Sequence, residues 1–160
     1  MREELELKLM EKYPFMEAKC VFTGQKSKFP VGCEFDDGWF ELIDSMCQEI
    51  QEFYRKNRED MDDIIVLQAK EKYGKLNFYI GNYIKGVFDI VNKYQEKSRT
   101  VCELCGENGA LRVKNSWFKT LCDKHREELV YVELQSTIVM YQHYINNTKK
   151  QKKDKKWRGF

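Results

Sequence analysis

The sequence contains little proline and no long apolar stretch. Only two of its 160 residues are proline, so the chain is not a linker-rich array of small modules. No segment approaches the roughly 18 consecutive apolar residues that a membrane-spanning helix requires. The first ten residues are charged throughout and lack the apolar region of a signal peptide. We therefore expect a cytoplasmic protein that has no membrane partner.

Histidine is also scarce, and its scarcity limits the catalytic chemistry. The two histidines are His125 and His143, and His143 has no acidic neighbour in the sequence with which it could form a catalytic pair. No histidine lies between Cys105 and Cys122, where a zinc-linked nuclease would need its general base. The histidine content therefore gives no support to a catalytic centre.

A magnesium-dependent nuclease is the remaining enzymatic alternative. Asp62 or Asp63, followed by Gln68-Ala-Lys70, weakly resembles the acidic and lysine residues of such sites. Glutamine is a poor magnesium ligand, however, and polar residues alternating on a solvated strand explain the same pattern. The sequence predicts no enzyme.

Positive charge is concentrated at one end of the chain. The net charge is only +2, but residues 149–160 hold six Lys, one Arg and one Asp, a net charge of +6. This leaves −4 for residues 1–148. A protein that binds phosphate groups over a broad face is usually basic in its folded part. Here the basic part is the tail.

The length and the 42% apolar content are sufficient for one folded domain. Within this domain, the helical spacing of apolar residues predicts four helices. Asp36 or Asp37 is expected to cap the second helix through its side-chain oxygen. Loop is expected over most of residues 14–35, with a strand near residues 18–22. The predicted helices cover residues 3–12, 84–96 and 123–146, and a longer one that runs from its cap at Asp36 or Asp37 through Phe53 into the polar stretch ending at Asp60.

Two β-hairpins are predicted between these helices. Residues 64–72 and 76–80 are rich in β-branched and aromatic residues and flank a turn at Gly74. Residues 110–114 and 117–121 form a shorter pair that turns at Asn115-Ser116.

The metal-ligand spacing is the strongest signal in the sequence. Cys102-Glu-Leu-Cys105 is followed, after sixteen residues, by Cys122-Asp-Lys-His125. Two short-spaced Cys/His pairs can together supply the four tetrahedral ligands of zinc. Scattered thiols or a redox Cys-x-x-Cys pair are the weaker alternatives, because the second pair completes a closed site. We therefore expect one structural Zn²⁺.

These elements together predict an α+β fold. A helix–β-hairpin–helix body over residues 1–97 would carry a treble-clef-like zinc module and a long last helix over residues 98–148. Residues 149–160 would be a basic, disordered tail. The other cysteines, Cys20, Cys33 and Cys47, are expected to be small buried groups.

Several segments resemble a family of small uncharacterised proteins from bacteriophages and bacterial genomes. The resemblance covers about residues 33–130, although relatives often carry Arg where this chain has Asn77. The matching segments are Gly38-Trp-Phe-Glu-Leu-Ile-Asp44, Gln68-Ala-Lys-Glu-Lys-Tyr-Gly-Lys-Leu-Asn-Phe-Tyr79, Cys102-Glu-Leu-Cys-Gly106, Gly109-Ala-Leu-Arg112 and Trp117-Phe-Lys-Thr-Leu-Cys-Asp-Lys-His125.

The resemblance supplies a context and no mechanism, because the family has no established activity. It implies a phage-encoded protein that acts in the cytoplasm of a host cell. Inhibition of bacterial antiviral defence would fit that origin, but this rests on the resemblance alone.

The predicted last helix is unusually apolar. Its apolar surface is wider than one packing face of a small domain needs, so the helix is either buried on two sides or meets a partner. We expect burial of its first half and a protein contact through Val139, Tyr141 and Ile145. A homodimer formed through this helix is an alternative to contact with a different protein. The apolar positions are Leu129, Val130, Val132, Leu134, Ile138, Val139, Met140, Tyr141 and Ile145.

The basic tail adds aromatic residues to its cations and predicts a ligand for this segment. Trp157, Arg158 and Phe160 are expected to contribute to partner binding. The sequence favours a non-enzymatic, zinc-stabilised binding protein that docks on a host protein or a nucleoprotein complex.

A nucleic-acid-binding regulator is the alternative function. Lysine and arginine release counterions from phosphate, and Trp157 can stack on a base. The residues expected to contact nucleic acid in this case are Arg112, Lys114, Lys119, Lys152, Lys153, Lys155 and Lys156.

Overall fold

The computed structural model describes residues 1–114 and 117–126 and shows a mixture of helices and sheets. These residues contain the helices α1 (Glu3–Lys12), α2 (Phe40–Asn57) and α3 (Val87–Lys97). Their strands are β1 (Glu17–Lys19), β2 (Lys26–Pro30), β3 (Cys33–Glu34), β4 (Ile65–Lys72), β5 (Lys75–Gly81), β6 (Ala110–Lys114) and β7 (Trp117–Leu121). No helix among them has the length and apolar character needed to cross a membrane.

The strands form three small sheets. β1 pairs with β2, and β6 pairs with β7, both antiparallel. The third sheet has the order β3-β4-β5, in which β3 runs parallel to β4 and β4 runs antiparallel to β5. Tyr73 and Gly74 join β4 to β5 with φ values of 56° and 72°, the positive values that a tight hairpin turn requires.

One apolar core unites the helices with the three-stranded sheet. Helix α2 contributes residues at helical spacing, and α3 packs against both α2 and β5. Removing each large apolar side chain from water contributes about 1.5–3 kcal/mol. Fully buried members of this core include Tyr13, Trp39, Ile43, Met46, Ile50, Ile64, Leu76 and Val87.

The predicted helices and hairpins within the described residues are confirmed in outline. Helix α1 and the strand pairs β4–β5 and β6–β7 lie where the sequence pattern placed them. Helix α3 begins at Val87, three residues later than expected, because Gly86 adopts a left-handed conformation with φ of 105°. The predicted helix over residues 123–146 and the turn at Asn115-Ser116 lie outside the described residues, apart from a turn over residues 123–126.

Two local predictions were wrong. Neither Asp36 nor Asp37 caps α2 through its side chain, since a 3₁₀ turn at Asp37–Trp39 precedes the helix and Asp37 accepts from Arg2 instead. In residues 14–35, β1 overlaps the strand expected near residues 18–22, whereas β2 and β3 lie where loop was expected. These strands are too short to show an alternating pattern, and β3 is defined by its pairing with β4, in which Cys33 lies opposite Ala69.

The segment that carries the Cys and His pairs is attached to the body at the start of α2. The Gly38 amide donates to the Glu103 carbonyl at 2.8 Å, and Trp39 Nε1 donates to the Val101 carbonyl at 2.8 Å. A further contact joins β7 to the β4–β5 turn, where Thr120 Oγ1 donates to the carbonyl of Gly74 at 2.6 Å. The β4–β5 hairpin and the β6–β7 hairpin are therefore in direct contact.

Gly38 is required by the closeness of this attachment. A Cβ atom at this position would lie 2.5 Å from the Cys105 amide nitrogen and 2.6 Å from the Glu103 carbonyl oxygen. Both neighbours are backbone atoms, which cannot rotate away as a side chain can. Only glycine allows the two chain segments to approach so closely.

We expect Gly38→Ala to lower the free energy of unfolding by about 2 kcal/mol, because the added methyl group forces backbone atoms apart. Gly32→Ala is the matched control, since a Cβ at Gly32 has no neighbour within 4 Å and that position has no positive φ. Urea unfolding of the two variants measures the difference. Equal stability of the two variants would show that the contact at Gly38 tolerates a side chain.

Candidate metal centre

Three thiols and one imidazole meet between the end of α3 and the turn that follows β7. One ligand atom from each of Cys102, Cys105, Cys122 and His125 lies within 4.8 Å of all the others. The Sγ atoms of Cys105 and Cys122 are 3.7 Å apart. Nδ1 of His125 lies 3.5 Å from Cys102 Sγ and 3.3 Å from Cys122 Sγ. The four residues could therefore hold a metal ion, with Nδ1 as the histidine ligand atom.

The first pair of ligands is held by a tight backbone turn. The Gly106 amide donates to the Cys102 carbonyl at 2.9 Å, and the Cys102 amide donates to the Glu107 carbonyl at 2.7 Å. Gly106 has a φ of 81°, a conformation that side-chain-bearing residues rarely adopt. The turn therefore requires a glycine directly after the second cysteine.

The second pair follows β7, and its backbone amides favour a thiolate. Burial alone would raise the pKa of the Cys122 thiol. Hydrogen bonds from the amides of His125 and Lys124 and from the neighbouring thiols outweigh burial and lower this pKa to about 7. A deprotonated thiol is the form that binds metals. Burial and the neighbouring thiols raise the pKa of Cys105 to about 11, so of these two thiols only Cys122 favours the thiolate before a metal binds.

A buried carboxylate, that of Glu103, follows the ligand residue Cys102 in the chain. Glu103 is only 2% exposed, and its Oε1 lies 3.4 Å from the Nζ of Lys119 and 3.3 Å from the Asp36 amide. Lys119 Nζ also donates to Asp36 Oδ2 at 2.7 Å. This ion-pair network links the first ligand pair, β7 and the chain that leads into α2.

Burial and charge oppose each other in this network. Burial raises the pKa of Glu103, and the ammonium of Lys119 acts against that rise. Burial would lower the pKa of Lys119, but Asp36 and Glu103 outweigh it and raise that pKa. Lys119 therefore stays charged and provides the cation that the buried carboxylate needs.

Two residues proposed for nucleic-acid binding take part in ion pairs inside the chain. Arg112 is 3% exposed, its Nε donates to the Leu121 carbonyl at 3.2 Å and its Nη2 donates to Asp123 at 2.9 Å. Lys119 is directed toward Asp36 and Glu103 as described above. These positions do not support phosphate contact by the β6–β7 hairpin.

The other predicted contact residues lie beyond the described part of the chain. This applies to the side chain of Lys114 and to every candidate in the last helix and the tail. They are Val139, Tyr141, Ile145, Lys152, Lys153, Lys155, Lys156, Trp157, Arg158 and Phe160.

The remaining cysteines do not all match the prediction. Cys33 and Cys47 are buried, as expected, whereas Cys20 is exposed in the turn between β1 and β2. The sequence analysis also missed Glu103 and Gly38. An acidic residue between two cysteine ligands shows no sign of burial in the sequence, and a glycine near a helix start is common.

We expect Lys119→Met to lower the free energy of unfolding by about 1–3 kcal/mol, because Glu103 is then buried without its cation. Lys85→Met is the matched control, since Lys85 is exposed and forms no ion pair within residues 1–114 and 117–126. Denaturant unfolding at neutral pH measures both. A loss of the same size in the two variants would contradict a role for Lys119 in compensating the buried carboxylate.

Comparison with known proteins gives no assignment. No family model matches the sequence, and no curated protein or solved structure is significantly similar to it. The resemblance noted in the sequence therefore stays a prediction, and the functional argument depends on the metal centre and the surfaces of this chain.

Proposed function

We propose that this chain is a non-enzymatic, zinc-stabilised binding protein that docks on a host protein or a nucleoprotein complex. The observation that supports zinc most directly is the convergence of one imidazole and three thiols within 4.8 Å. Sulfur-rich donor sets with one histidine are typical of structural zinc sites.

The distances between ligand atoms support the choice of zinc. Zinc–sulfur bonds of about 2.3 Å and zinc–nitrogen bonds of about 2.0–2.1 Å place tetrahedral ligand atoms roughly 3.5–3.8 Å apart. The Cys105–Cys122 sulfur distance of 3.7 Å and the Cys102 Sγ–His125 Nδ1 distance of 3.5 Å agree with this geometry. The cluster as a whole extends to 4.8 Å, so the widest pair would move closer by about 1 Å to complete the tetrahedron.

A structural role for the metal follows from the ligand count and the location. Four protein ligands satisfy tetrahedral zinc and leave no position for water or substrate. The ligands also flank the backbone that bonds to Gly38 and Trp39 of the body. The metal would therefore stabilise the attachment between the β6–β7 hairpin and the helical core.

The docking part of the proposal depends on sequence features outside the described residues. The apolar stripe over residues 129–145 is wider than one core-facing surface needs. The basic tail adds electrostatic attraction and aromatic contacts. Phage origin and inhibition of antiviral defence are proposed on the family resemblance alone.

Nucleic acid as the partner is the competing outcome of the same experiments. Because Arg112 and Lys119 form internal ion pairs, such binding would depend mainly on the tail lysines. Affinity for nucleic acid would then fall steeply with salt and disappear when residues 149–160 are deleted.

We expect the purified chain to hold one zinc ion, and both Cys122→Ser and His125→Ala to lose it, because each removes one of four ligands. Native mass spectrometry without chelator counts the metal. Cys20→Ser is the matched control, since Cys20 is exposed and lies outside the cluster. Retention of stoichiometric zinc by both ligand variants would exclude this centre as the binding site.

We expect a host protein to co-purify with this chain from its source cells. Val139→Asp and Tyr141→Asp should each weaken binding to that protein at least about tenfold, because a buried unpaired carboxylate is costly. Zinc content should remain at one ion per chain. The measurement is a titration of the purified host protein with each variant. Undiminished affinity in both variants would remove residues 139–141 from the docking surface.

A further inference from the structure

The β4–β5 hairpin and the loop after it differ in charge from the rest of the chain before its tail. Residues 1–148 carry a net charge of −4, whereas residues 64–88 contain four lysines and one glutamate, a net charge of +3. The same stretch holds the exposed aromatic residues Tyr73, Tyr79, Tyr83 and Phe88. Basic residues interleaved with aromatic ones are typical of surfaces that bind single-stranded nucleic acid.

The strand register brings most of these lysines onto one face of the hairpin together with Tyr79. Residues directly opposite each other, and residues two apart on one strand, share a face of a sheet. The alternate residues Ala69, Leu76 and Phe78 are buried in the core, so the other set faces away from it. We call this set the outer face. Its members are Gln68, Lys70, Lys72, Lys75, Asn77 and Tyr79.

Two exposed tyrosine rings lie beside lysines of the outer face. Tyr79 is 44% exposed, and Lys70 Nζ lies 5.9 Å from its ring centroid. In the β4–β5 turn, Tyr73 is 57% exposed, and Lys72 Nζ lies 5.6 Å from its ring centroid. Both distances are close to the limit of about 6 Å for a cation–π contact, so neither ammonium covers its ring closely. A base stacked on either ring would bring its phosphate toward the adjoining lysine.

Both rings are held by the fold. The Tyr73 ring packs edge-to-face on Phe118 of β7, with the ring centroids 5.7 Å apart. Tyr79 lies in the paired part of β5, opposite Gln68. Rings that are already fixed lose little conformational entropy on binding. Tyr73 follows Gln68 by five positions, roughly 17 Å at about 3.3 Å per residue. This span fits the site of roughly 4–16 nucleotides that one single-strand-binding fold covers.

Two of the three lysines on the outer face are available for phosphate. Lys75 is paired with Glu96 of α3, whereas Lys70 and Lys72 form no ion pair within residues 1–114 and 117–126. Two lysines supply only a small part of the phosphate contacts that a nucleic-acid binder makes. The outer face would therefore act mainly by stacking, and the basic residues 149–160 would supply the remaining cations.

Acidic residues near the outer face do not cancel its charge. Glu34 of β3 lies opposite Lys70, but its carboxylate accepts from Gln68 Nε2 at 2.9 Å and forms no ion pair with Lys70. The Glu71 side chain belongs to the opposite face and accepts from the amide of Gly74. The acidic residues 59–63 precede the other end of β4, roughly 23 Å from Lys72. That separation is well beyond the Debye length of about 8 Å.

We propose that the outer face and Tyr73 bind single-stranded nucleic acid. Bases stack on the rings of Tyr79 and Tyr73, and Lys70 and Lys72 contact the adjoining phosphates. The proposal rests on the nucleoprotein alternative of the proposed function and assigns a folded surface to it. A protein partner fits this face less well, because lysine is depleted at protein interfaces and the centre of the face has no apolar anchor.

Fluorescence anisotropy of the full, zinc-loaded chain tests the rings. The probes are oligothymidylate and oligouridylate of about 15 nucleotides, which distinguish DNA from RNA, and a duplex of the same length. We expect Tyr79→Thr to raise the Kd for the preferred single strand at least about fivefold, because one base loses its stacking partner. The Kd for the duplex should not change, since its bases already stack on one another. Tyr79→Phe keeps the ring and should bind like the unchanged chain.

Tyr83→Thr is the matched control for the rings, since Tyr83 is also exposed but follows the end of β5. Salt dependence tests the lysines separately. Lys70→Gln and Lys72→Gln should each lower the slope of log Kd against log salt concentration by about 0.7, whereas Tyr79→Thr should leave that slope unchanged. Circular dichroism confirms that each variant is folded.

The proposal is overturned by any of three results. The first is a Kd above about 0.1 mM for both single strands, the weak end of non-specific binding. The second is unchanged affinity in Tyr79→Thr, which would leave binding to the basic tail. The third is an equal loss of affinity for single strand and duplex. Zinc counting and the host-protein titration on the same samples separate failure of this site from failure of the proposed function.

Discussion

The remaining structure depends on the close contact between two turns. One leads into α2, and the other carries Cys102 and Cys105. The contact joins the Gly38 amide to the Glu103 carbonyl and the Trp39 indole to the Val101 carbonyl. The same two residues belong to the 3₁₀ turn that leads directly into α2, the helix that carries the centre of the apolar core. Ligand geometry and core packing are therefore not independent, because one short stretch of backbone participates in both.

Polar groups near this contact are arranged to compensate one another. Glu103 would be costly to bury by itself, since an unpaired carboxylate loses its hydration without gaining a partner. Lys119 and the Asp36 amide provide that partner from two different elements. Such a network contributes little net stability compared with apolar packing, but it strongly disfavours any arrangement in which its members are separated. It thus favours one relative position of the two hairpins.

The parts of the fold that could be predicted are those whose signals are local. Helix α1 and the β6–β7 pair were predicted with their observed limits, because their periodicity lies within each segment. The four ligands were identified by spacing alone and do converge. Strands β2 and β3 were missed because both are too short for an alternating pattern, and β3 is defined by pairing with β4, 36 positions further along the chain. The roles of Arg112 and Lys119 were also missed, since sequence shows that a residue is basic but not which carboxylate it faces.

The attachment at Gly38 also determines when the chain can complete its fold during synthesis. Glu103 follows Gly38 by 65 positions, and Thr120 follows Gly74 by 46. A ribosome adds residues from the N-terminus onward, so α2 emerges long before the segment that secures its first turn. Contacts of such long sequence separation form slowly, because loop-closure entropy opposes them. The turn that leads into α2 therefore stays without these contacts until residues 101–103 have left the exit tunnel.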